Sequence, residues 1–420
     1  MTYQYESDSQ PLPPDMEVNG EVYILTWHDR NVRMPIDRFH TRQEVTSAEI
    51  KVEFADRPEN EAMITRGRAG LLSTFKSLID ECVEFGGDWI EQGDWKIMFK
   101  QMSIKVLDQY RMGEPVLNLA ELEDKGQKPY IVSPFVYEGS PTIIYGRGGV
   151  GKSLFCLYLA MLMQTGNSEN RLNATGGNVL YLDWEADPDE SKHRADLIAH
   201  GMNISPEVNI HYRFCAEPFT SEVDVIRRLV RKLDIQLVVI DSIIPSCGGN
   251  AVDPEITSKF FRAIRSLGNS DRQVATLLIG HTTKQEDKSG SPFGSVVWRN
   301  GARTVWEFRA PQQSNSDIVD VALVHQKVNL GKTLAPVGFQ ILWGEGAVKF
   351  KAMDARRHPL FRSDMPLGER IHVLLEDNGT MTLERIASSL RGVEEGEILD
   401  VLEGDNRFET VWGAWQLVSI

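Results

Sequence analysis

The middle of the chain contains a glycine-rich run whose spacing suits the binding of an anion. The run is Gly146-Arg147-Gly148-Gly149-Val150-Gly151-Lys152-Ser153-Leu154. Glycine adopts positive φ without a Cβ clash, so we expect its four glycines to turn successive N–H groups toward one anion. Lys152 can reach the outer phosphates of a nucleotide, and the hydroxyl of Ser153 is a ligand for Mg²⁺. We therefore predict that this run binds a nucleoside triphosphate.

An apolar run that ends in an acid is the second candidate. Residues 237–241 read Leu-Val-Val-Ile-Asp. A central strand of a parallel sheet is buried on both faces, which accounts for the apolar residues, and its carboxyl end opens on the ligand crevice. We predict that Asp241 holds Mg²⁺ there, directly or through water, together with Ser153.

Acids also follow the strand predicted over residues 178–183, which reads Asn-Val-Leu-Tyr-Leu-Asp. A carboxylate within one hydrogen bond of a water molecule can orient that water for attack on the terminal phosphate. Glu185 is one candidate for this role, and Asp183 and Asp187 are the others. The same acids could instead only begin the helix predicted from Pro188, so their position alone leaves the role open.

Strands and helices alternate around these residues from 130 to 352, a pattern typical of a parallel sheet with crossover helices. The glycine-rich run joins a strand to a helix over residues 141–165. The elements predicted after it are strands at 179–183, 237–241 and 274–280, helices at 188–200, 222–233 and 254–267, and β-rich segments at 303–309, 318–327 and 336–350. We expect an α/β core with a mostly parallel sheet.

The residues before this core divide into predicted parts of different character. Residues 1–15 are polar and proline-rich and are expected to form a flexible tail. Residues 16–120 carry strand patterns and then helical patterns over 69–84 and 94–111, which predict a small α+β accessory domain. Residues 112–130 hold glycines and prolines among charges, as a linker does. Docking to a partner or contact between subunits is the expected use of the accessory domain.

The pattern changes again near the end of the chain. Residues 366–420 contain three helical patterns followed by a β-hairpin, which favours a winged-helix-like domain. The third helical pattern, residues 394–403, contains acids but neither Lys nor Arg. Because like charges repel, this helix is poorly suited to the phosphates of nucleic acid. We expect the domain to contact protein rather than to read DNA.

Composition restricts the class of protein. The formal net charge of −15 argues against a chain that coats DNA with its general surface, although it leaves room for a locally basic channel. The longest apolar run, residues 154–163, is far shorter than a membrane span, and the N-terminus lacks the basic start and apolar segment of a secretory signal. The scattered cysteines are expected to be buried apolar residues of a cytoplasmic protein. They are Cys82, Cys156, Cys215 and Cys247.

Several stretches of the chain point to one family. They are Gly-Ser-Pro-Thr-Ile-Ile-Tyr-Gly at 139–146, Tyr-Leu-Asp-Trp-Glu at 181–185, Ile-Asp-Ser at 240–242, His-Thr-Thr-Lys at 281–284 and Gly-Ser-Val-Val-Trp-Arg-Asn-Gly-Ala-Arg at 294–303. Together they resemble the RecA-like P-loop ATPases, and within that group the branch of RepA-type hexameric replicative helicases. The resemblance spans residues 130–350 and implies a RecA-like core.

The resemblance implies roles for particular residues. In that family the acid after the second strand activates water, which favours Glu185, and the polar residue that ends the strand after Asp241 senses the γ-phosphate, which falls on His281. The loop that follows, residues 282–302 here, often faces nucleic acid in a central channel. In this chain the basic residues of the loop are partly offset by acids.

The family also implies a nucleotide site shared between subunits. Each site is completed by a cation from the neighbouring subunit, for which Arg303 is the first candidate and Lys327 the second, with Arg299 as a further alternative. Related helicases carry an Arg two positions after the Lys, where this chain has Asn329. An ordinary salt bridge at the start of a strand is the competing interpretation of Arg303.

These inferences predict a Mg²⁺-dependent ATPase that assembles head to tail into a homo-oligomeric ring, expected to be a hexamer, and acts on single-stranded DNA as a helicase or translocase. The resemblance favours ATP over GTP. The alternative is a nucleotide-gated assembly or signalling ATPase whose terminal domains bind protein partners without unwinding nucleic acid. The acidic net charge favours this alternative, and the RepA-like stretches favour the helicase.

Overall fold

The computed structural model of the chain describes residues 10–19, 22–42, 45–54, 63–68, 75–86, 90–112, 116, 118–124, 126–268, 273–282, 296–311, 316–329, 331–358, 361, 365–390 and 392–418. The chain forms two compact units, Met1–Asp124 and Lys125–Ile420, and each is described by itself. Within the described ranges, no helix is long and apolar enough to cross a membrane.

The first unit is an antiparallel sheet packed with two helices. The strands that the structure describes pair in chain order and are β1 Asp15–Asn19, β2 Val22–Trp27, β3 Val32–Arg42, β4 Val45–Phe54 and β5 Met63–Arg68. The helices are α1 Lys76–Gly86 and α2 Gln92–Met112. Alternate strand residues face α2, so Trp27, Trp95 and Phe99 are fully buried in one core.

The expectation of a flexible tail over residues 1–15 does not hold for residues 10–14. The Lys105 Nζ donates to the carbonyl of Pro14 at 2.6 Å, and the Gln101 Nε2 donates to the carbonyl of Pro11 at 3.2 Å. Both prolines are buried. This segment therefore packs on α2 and leads directly into β1, a strand that the sequence pattern did not indicate. Residues 1–9, and residues 69–74 of the first predicted helix, lie outside the described residues.

The second unit contains the predicted core. Its strands are β6 Tyr130–Ser133, β7 Val136–Tyr137, β8 Pro141–Gly146, β9 Ser168–Glu169, β10 Leu172–Ala174, β11 Asn178–Asp183, β12 His211–Phe214, β13 Ile235–Asp241, β14 Ala275–His281, β15 Thr304–Arg309, β16 Ile318–Val328, β17 Val337–Gly344, β18 Ala347–Met353, β19 Phe408–Val411 and β20 Ala414–Leu417. Its helices are α3 Lys152–Thr165, α4 Pro188–Gly201, α5 Phe219–Lys232, α6 Ile243–Ser246, α7 Pro254–Arg265, α8 Val296–Gly301, α9 Leu367–Asn378, α10 Leu383–Ser389 and α11 Glu395–Gly404.

One large sheet organises this unit. In the part of the chain that the structure describes, nine strands pair in the order β12-β11-β13-β14-β8-β15-β16-β17-β18. Neighbours from β12 to β15 are parallel, and β15 to β18 are antiparallel. The prediction of an α/β unit with a mostly parallel sheet is therefore confirmed, and this sheet fits a RecA-like core.

Both faces of the parallel strands are buried, because side chains alternate between two hydrophobic cores. Ile144 and Val239 belong to the core that contains α3. Ile143 and Val238, one residue earlier in each strand, belong to the core that contains α5 and α7. The continuous apolar runs noted in the sequence are thus central strands, and their polar residues are confined to the strand ends.

Helix α3 is enclosed on all sides. Every residue from Leu154 to Met163 is buried, which explains why its sequence is apolar all round rather than amphipathic. A small sheet in the order β7-β6-β10-β9 lies beside it, and the ring of Tyr158 stacks on that of Phe350 in β18 at 4.2 Å. The helix ends at Gly166, which caps it in the left-handed conformation at φ 66°.

The end of the chain forms three helices and a hairpin. Ile371, Ile386 and Ile398, one from each of α9, α10 and α11, are fully buried in a separate core. Strands β19 and β20 pair antiparallel through a turn at Trp412 and Gly413, with φ of 55° and 79°. The acids of α11 noted in the sequence are all exposed; they are Glu394, Glu395, Glu397, Asp400 and Glu403.

Candidate functional site

The glycine-rich run lies where the central strands of the large sheet end. Gly146 at the end of β8 pairs with His281 at the end of β14, and Asp183 at the end of β11 pairs with Asp241 at the end of β13. Because these strands are parallel, their carboxyl ends share one edge of the sheet. The fold therefore brings stretches that are far apart in sequence to the same run of main-chain amides.

The glycines of the run are present for different reasons. Gly149 and Gly151 have positive φ, 73° and 95°, as expected for a loop that turns its N–H groups inward. The expectation of positive φ is wrong for Gly146 and Gly148. A Cβ at Gly146 would lie 2.3 Å from the carbonyl oxygen of Phe308 on β15, whereas nothing lies within 4 Å of a Cβ at Gly148. Gly146 is thus required by the close approach of the neighbouring strand.

Lys152 directs its ammonium group into the loop. Its Nζ donates to the carbonyl of Arg147 at 2.6 Å and lies 3.5 Å from Nδ1 of His281. The side chain is 4% exposed, burial lowers its pKa, and it forms no salt bridge with any carboxylate in the described residues. The carboxylates of Asp241 and Glu185 oppose the lowering of its pKa without forming a salt bridge to it, so the ammonium group can pair directly with an anion that enters the loop.

The other residues of the run contribute mainly through the backbone. The side chain of Leu154 packs in the core around α3, so only its main chain is available to a ligand. Lys152, Ser153 and Leu154 form the first turn of α3, and the N–H groups of a first turn have no acceptor within the helix. The positive end of the helix and these free donors suit a phosphate group.

Asp241 and Ser153 form the candidate metal site. The Oδ2 atom of Asp241 accepts a hydrogen bond from the Tyr181 hydroxyl at 2.7 Å, and its Oδ1 atom is buried without a hydrogen bond of normal geometry. Burial raises the pKa of Asp241 to about 6, and the hydroxyl of Tyr181, followed by that of Ser153, opposes that shift. These oxygens fit Mg²⁺, which uses one or two protein ligands and completes its shell with water and phosphate. Within the described residues, no group of three or more His, Cys, Asp or Glu could hold a metal by itself.

The raised pKa of Asp241 predicts that Asp241→Asn stabilises the ligand-free protein at alkaline pH. Folding favours the protonated acid, so the ionised form costs about 3 kcal/mol, a cost that grows as pH rises from about 4 to about 6 and is complete above that range. An amide avoids this cost and can still accept from Tyr181. Chemical denaturation should therefore show the variant to be more stable at pH 8, with a smaller difference at pH 5. Lower stability of the variant than of the unchanged protein at pH 8 would contradict the raised pKa of Asp241.

Hydrogen bonding distinguishes the three acids that follow β11. Asp183 accepts from the N–H groups of Glu185 and Ala186 at 2.9 and 3.0 Å through Oδ1, and from the Ser191 hydroxyl at 3.0 Å through Oδ2. Asp187 caps α4 by accepting from the N–H of Glu190 at 2.8 Å. Both acids therefore shape the backbone. The carboxylate of Glu185 remains available for chemistry.

The Glu185 carboxylate is held at the same edge of the sheet by two donors. Its Oε1 accepts from the Ser242 hydroxyl and lies 3.3 Å from Nε2 of His281. The hydrogen bond from His281 lowers the pKa of Glu185, while partial burial opposes this effect. The carboxylate is thus kept ionised, as a general base must be. Ser242 was not selected from the sequence as a site residue, although its place directly after Asp241 was the available signal.

The candidate cation Arg303 lies elsewhere. Its N–H donates to the carbonyl of Pro141 at 2.8 Å, at the start of β8, whereas the phosphate loop follows the end of that strand at Gly146. The separation along the strand is about 16 Å, because a strand rises about 3.3 Å per residue. Arg303 therefore lies at the opposite edge of the sheet from the loop of its own chain. Its side chain is exposed and forms no hydrogen bond or salt bridge within the described residues.

The other two candidate cations are engaged within the chain. The Nζ of Lys327 donates to the carbonyls of Arg299, Asn300 and Ala302 at 2.7, 3.2 and 2.8 Å. The Nη2 of Arg299 donates to the carbonyl of Gln326 at 2.8 Å. Most of the loop expected to face nucleic acid, residues 283–295, lies outside the described residues.

The part of the chain that contains this site is similar to a known family. Residues 119–287 match a family described as AAA domain, and this stretch contains Lys152, Glu185, Asp241 and His281. Together with the large, mostly parallel sheet, the match supports a RecA-like P-loop ATPase. No curated protein matches the chain in sequence. Similar solved structures include a KaiC-like protein from the hyperthermophilic archaeon Pyrococcus horikoshii, at 14% identity over 52% of this chain and 93% of that chain, with a TM-score of 0.38.

Proposed function

We propose that the chain hydrolyses ATP with Mg²⁺ as a RecA-like motor that assembles into a ring, and that it acts on DNA as a helicase or translocase of the RepA type. One observation is the main support for the proposed hydrolysis. A buried ammonium group, a candidate metal ligand and an ionised carboxylate converge at the carboxyl edge of one parallel sheet. They belong to Lys152, Asp241 and Glu185.

The proposed mechanism assigns one task to each group. Glu185 accepts the proton of the water that attacks the γ-phosphorus, and Ser242 and His281 hold its carboxylate in position. Lys152 leaves the carbonyl of Arg147 and donates to the outer phosphate oxygens. Ser153 and Asp241 would hold Mg²⁺, which would supply positive charge to the phosphates.

His281 lies between Glu185 and Lys152 and contacts both side chains. With its proton on Nε2, the ring donates to Glu185 while Nδ1 accepts from Lys152, at distances of 3.3 and 3.5 Å. A phosphate that draws Lys152 away leaves Nδ1 of His281 free. In this proposal, the presence of the γ-phosphate therefore changes the hydrogen bonding of the His281 imidazole, which also contacts Glu185. This is the sensor role implied by the resemblance.

The position of Arg303 supports a site shared between subunits. An exposed guanidinium about 16 Å along the sheet from its own phosphate loop is suited to the loop of a neighbouring copy, where it would stabilise charge on the transferred phosphoryl group. Head-to-tail contacts of this kind close into a ring when the rotation permits. We propose a hexamer on the resemblance, with Arg303 rather than Lys327 or Arg299 as the cation supplied to the neighbour.

Mixing two inactive variants tests this shared site. Arg303→Ala protein keeps its own phosphate loop and base, and Glu185→Gln protein keeps its arginine. In a one-to-one mixture that exchanges subunits at random, about one quarter of the interfaces combine an intact site with an intact arginine, so hydrolysis should recover to about that fraction. Phosphate release is measured for each variant and for the mixture. No recovery from variants that assemble normally would remove the support for a shared site.

A second candidate function is a nucleotide-gated assembly or signalling ATPase that binds protein partners. It is favoured by the exposed acidic face of α11, which belongs to the segment that we interpret as winged-helix-like, and by the net charge of −15. Docking to a partner or contact between subunits is the proposed use of the first unit under either candidate. Burial of all four cysteines suits a reducing, cytoplasmic setting for both.

One experiment separates the two candidates. The hydrolysis rate and the particle mass are measured with ATP, with and without a single-stranded oligonucleotide, at low and moderate salt. The motor predicts stimulation by the oligonucleotide, a ring-sized particle and DNA binding that weakens with salt. Hydrolysis without stimulation or salt-sensitive DNA binding would reject the helicase and retain the ATPase.

A further inference from the structure

Lys327 uses its whole donor capacity within its own chain. An ammonium group has three N–H donors, and the Nζ of Lys327 contacts three carbonyl oxygens at 2.7, 3.2 and 2.8 Å. Those carbonyls belong to Arg299, Asn300 and Ala302, at the end of α8 and just beyond it. The last carbonyls of a helix lack partners within the helix and attract a cation. Lys327 is therefore a cap on this helix end.

The capped segment leads directly into Arg303. The carbonyl of Ala302 is the last group that Lys327 holds, and the next residue is fixed on both sides. The N–H of Arg303 donates to Pro141 in β8 at 2.8 Å, and its carbonyl accepts from the N–H of Asn329 at 2.9 Å. The backbone of Arg303 is thus held by β8, by the residue that follows β16 and by the cap, while its side chain remains exposed.

We infer that Lys327 is a positioning residue, which fixes the backbone at Arg303 so that the guanidinium is presented to the nucleotide of the neighbouring subunit. This inference rests on the proposed shared site and deepens it. It gives different roles to Arg303 and Lys327, which the sequence analysis considered as alternative cations for the neighbouring site. Arg303 touches the phosphate, and Lys327 acts only through Arg303.

Lys327 keeps its position at the helix end in an unfavourable electrostatic environment. Burial lowers the pKa of Lys327, and the charges of Arg299 and Arg303 lower it further. Arg299 and Arg303 repel the Lys327 ammonium group, so its position depends on the carbonyl oxygens that it contacts. Carbonyl oxygens at the helix end offset this repulsion. Lys327→Met keeps most of the length of the side chain and removes the donors, which makes it the variant of choice.

The first test places Lys327→Met on one partner of the complementing mixture. On the Glu185→Gln chain, which supplies the arginine, it should lower the kcat of the mixture at least tenfold and change KM for ATP less than threefold. On the Arg303→Ala chain, which supplies the site, it should change kcat less than twofold. Lys332→Met, at an exposed neighbouring lysine, is the matched control and should have no effect on either chain.

The second test distinguishes positioning from contact with phosphate. Amide hydrogen exchange is followed in nucleotide-free protein at Arg303 and Asn329, whose N–H groups make the flanking hydrogen bonds. Positioning predicts at least tenfold faster exchange in Lys327→Met, whereas a phosphate ligand would leave exchange unchanged without nucleotide. If Lys327→Met does not fold, Lys327→Gln retains part of the donor capacity and should give an intermediate loss of kcat and intermediate exchange.

The outcomes are separable. Full complementation with Lys327→Met on the arginine donor, or unchanged exchange at Arg303, overturns the positioning role and leaves the proposed ATPase intact. A parent mixture without the Lys327 change that recovers no hydrolysis overturns the shared site, and the positioning role with it. Loss of kcat together with faster amide exchange in Lys327→Met supports both the shared site and the positioning role of Lys327.

Discussion

Lys152→Ala is expected to abolish measurable binding of magnesium-loaded ATP. The ammonium group is buried in the loop, makes one close hydrogen bond to the Arg147 carbonyl and has no carboxylate partner among the described residues, so its charge is available to an incoming phosphate. Each charge-assisted hydrogen bond lost contributes about 1.5–3 kcal/mol, so the loss of two weakens binding by about 10² to 10⁴ fold. Titration calorimetry with Mg²⁺ and ATP measures this directly.

A matched control makes this result specific. Lys349 is an exposed lysine on β18 in the same unit, so Lys349→Ala removes an equal charge without touching the loop. It should bind ATP like the unchanged protein. Equal heats of binding for both variants and the unchanged protein would show that the run at 146–154 does not hold the nucleotide, and the proposed function would fall with it.

Glu185→Gln is expected to retain ATP binding and lose hydrolysis. The amide has the shape of the carboxylate, and its oxygen can still accept from Ser242 and His281, so the loop geometry is kept. It cannot accept the proton of the attacking water, and loss of a general base lowers the rate by about 10² to 10⁴ fold. Single-turnover release of phosphate, with calorimetry on the same protein, separates the chemical step from binding.

The neighbouring acid Asp187 provides the control for Glu185. Asp187 accepts from the N–H of Glu190 at the start of α4, and asparagine is an equally good residue at that position. Asp187→Asn should therefore hydrolyse ATP within a few-fold of the unchanged protein. If both variants lost hydrolysis to the same extent, the role of base would not belong to Glu185 alone, and the effect would be one of local structure.

Motifs built from neighbouring residues could be predicted because their physics is local. Glycine spacing indicates a phosphate loop without knowledge of any distant residue, and a short apolar run that ends in an acid indicates a buried parallel strand. The strands and helices predicted over 141–165, 178–183 and 237–241 agree with the structure to within a few residues. The agreement extends to the general α/β class, since alternation of elements is itself a sequence property.

Four short strands beside α3 were not predicted, because they carry too few residues to show a period. Strands β6, β7, β9 and β10 have two to four residues each, and they pair with one another across separate stretches of the chain. The reason for glycine at 146 also depended on a distant residue, since Phe308 on β15 occupies the space of its Cβ. A contact between residues this far apart in the chain cannot be detected from a short window of sequence.

Sequence alone was enough to predict which residues hold phosphate and metal, because each of those motifs is a few consecutive residues whose backbone and side chains act together. The fold decided which acid is free, since Asp183 and Asp187 are used by the backbone and Glu185 is not. It also separated Arg303, which is exposed at the far edge of the sheet, from Lys327, which is bound to three carbonyls. Residue type specifies what a side chain can do, and only the surrounding packing determines whether its charge is already satisfied.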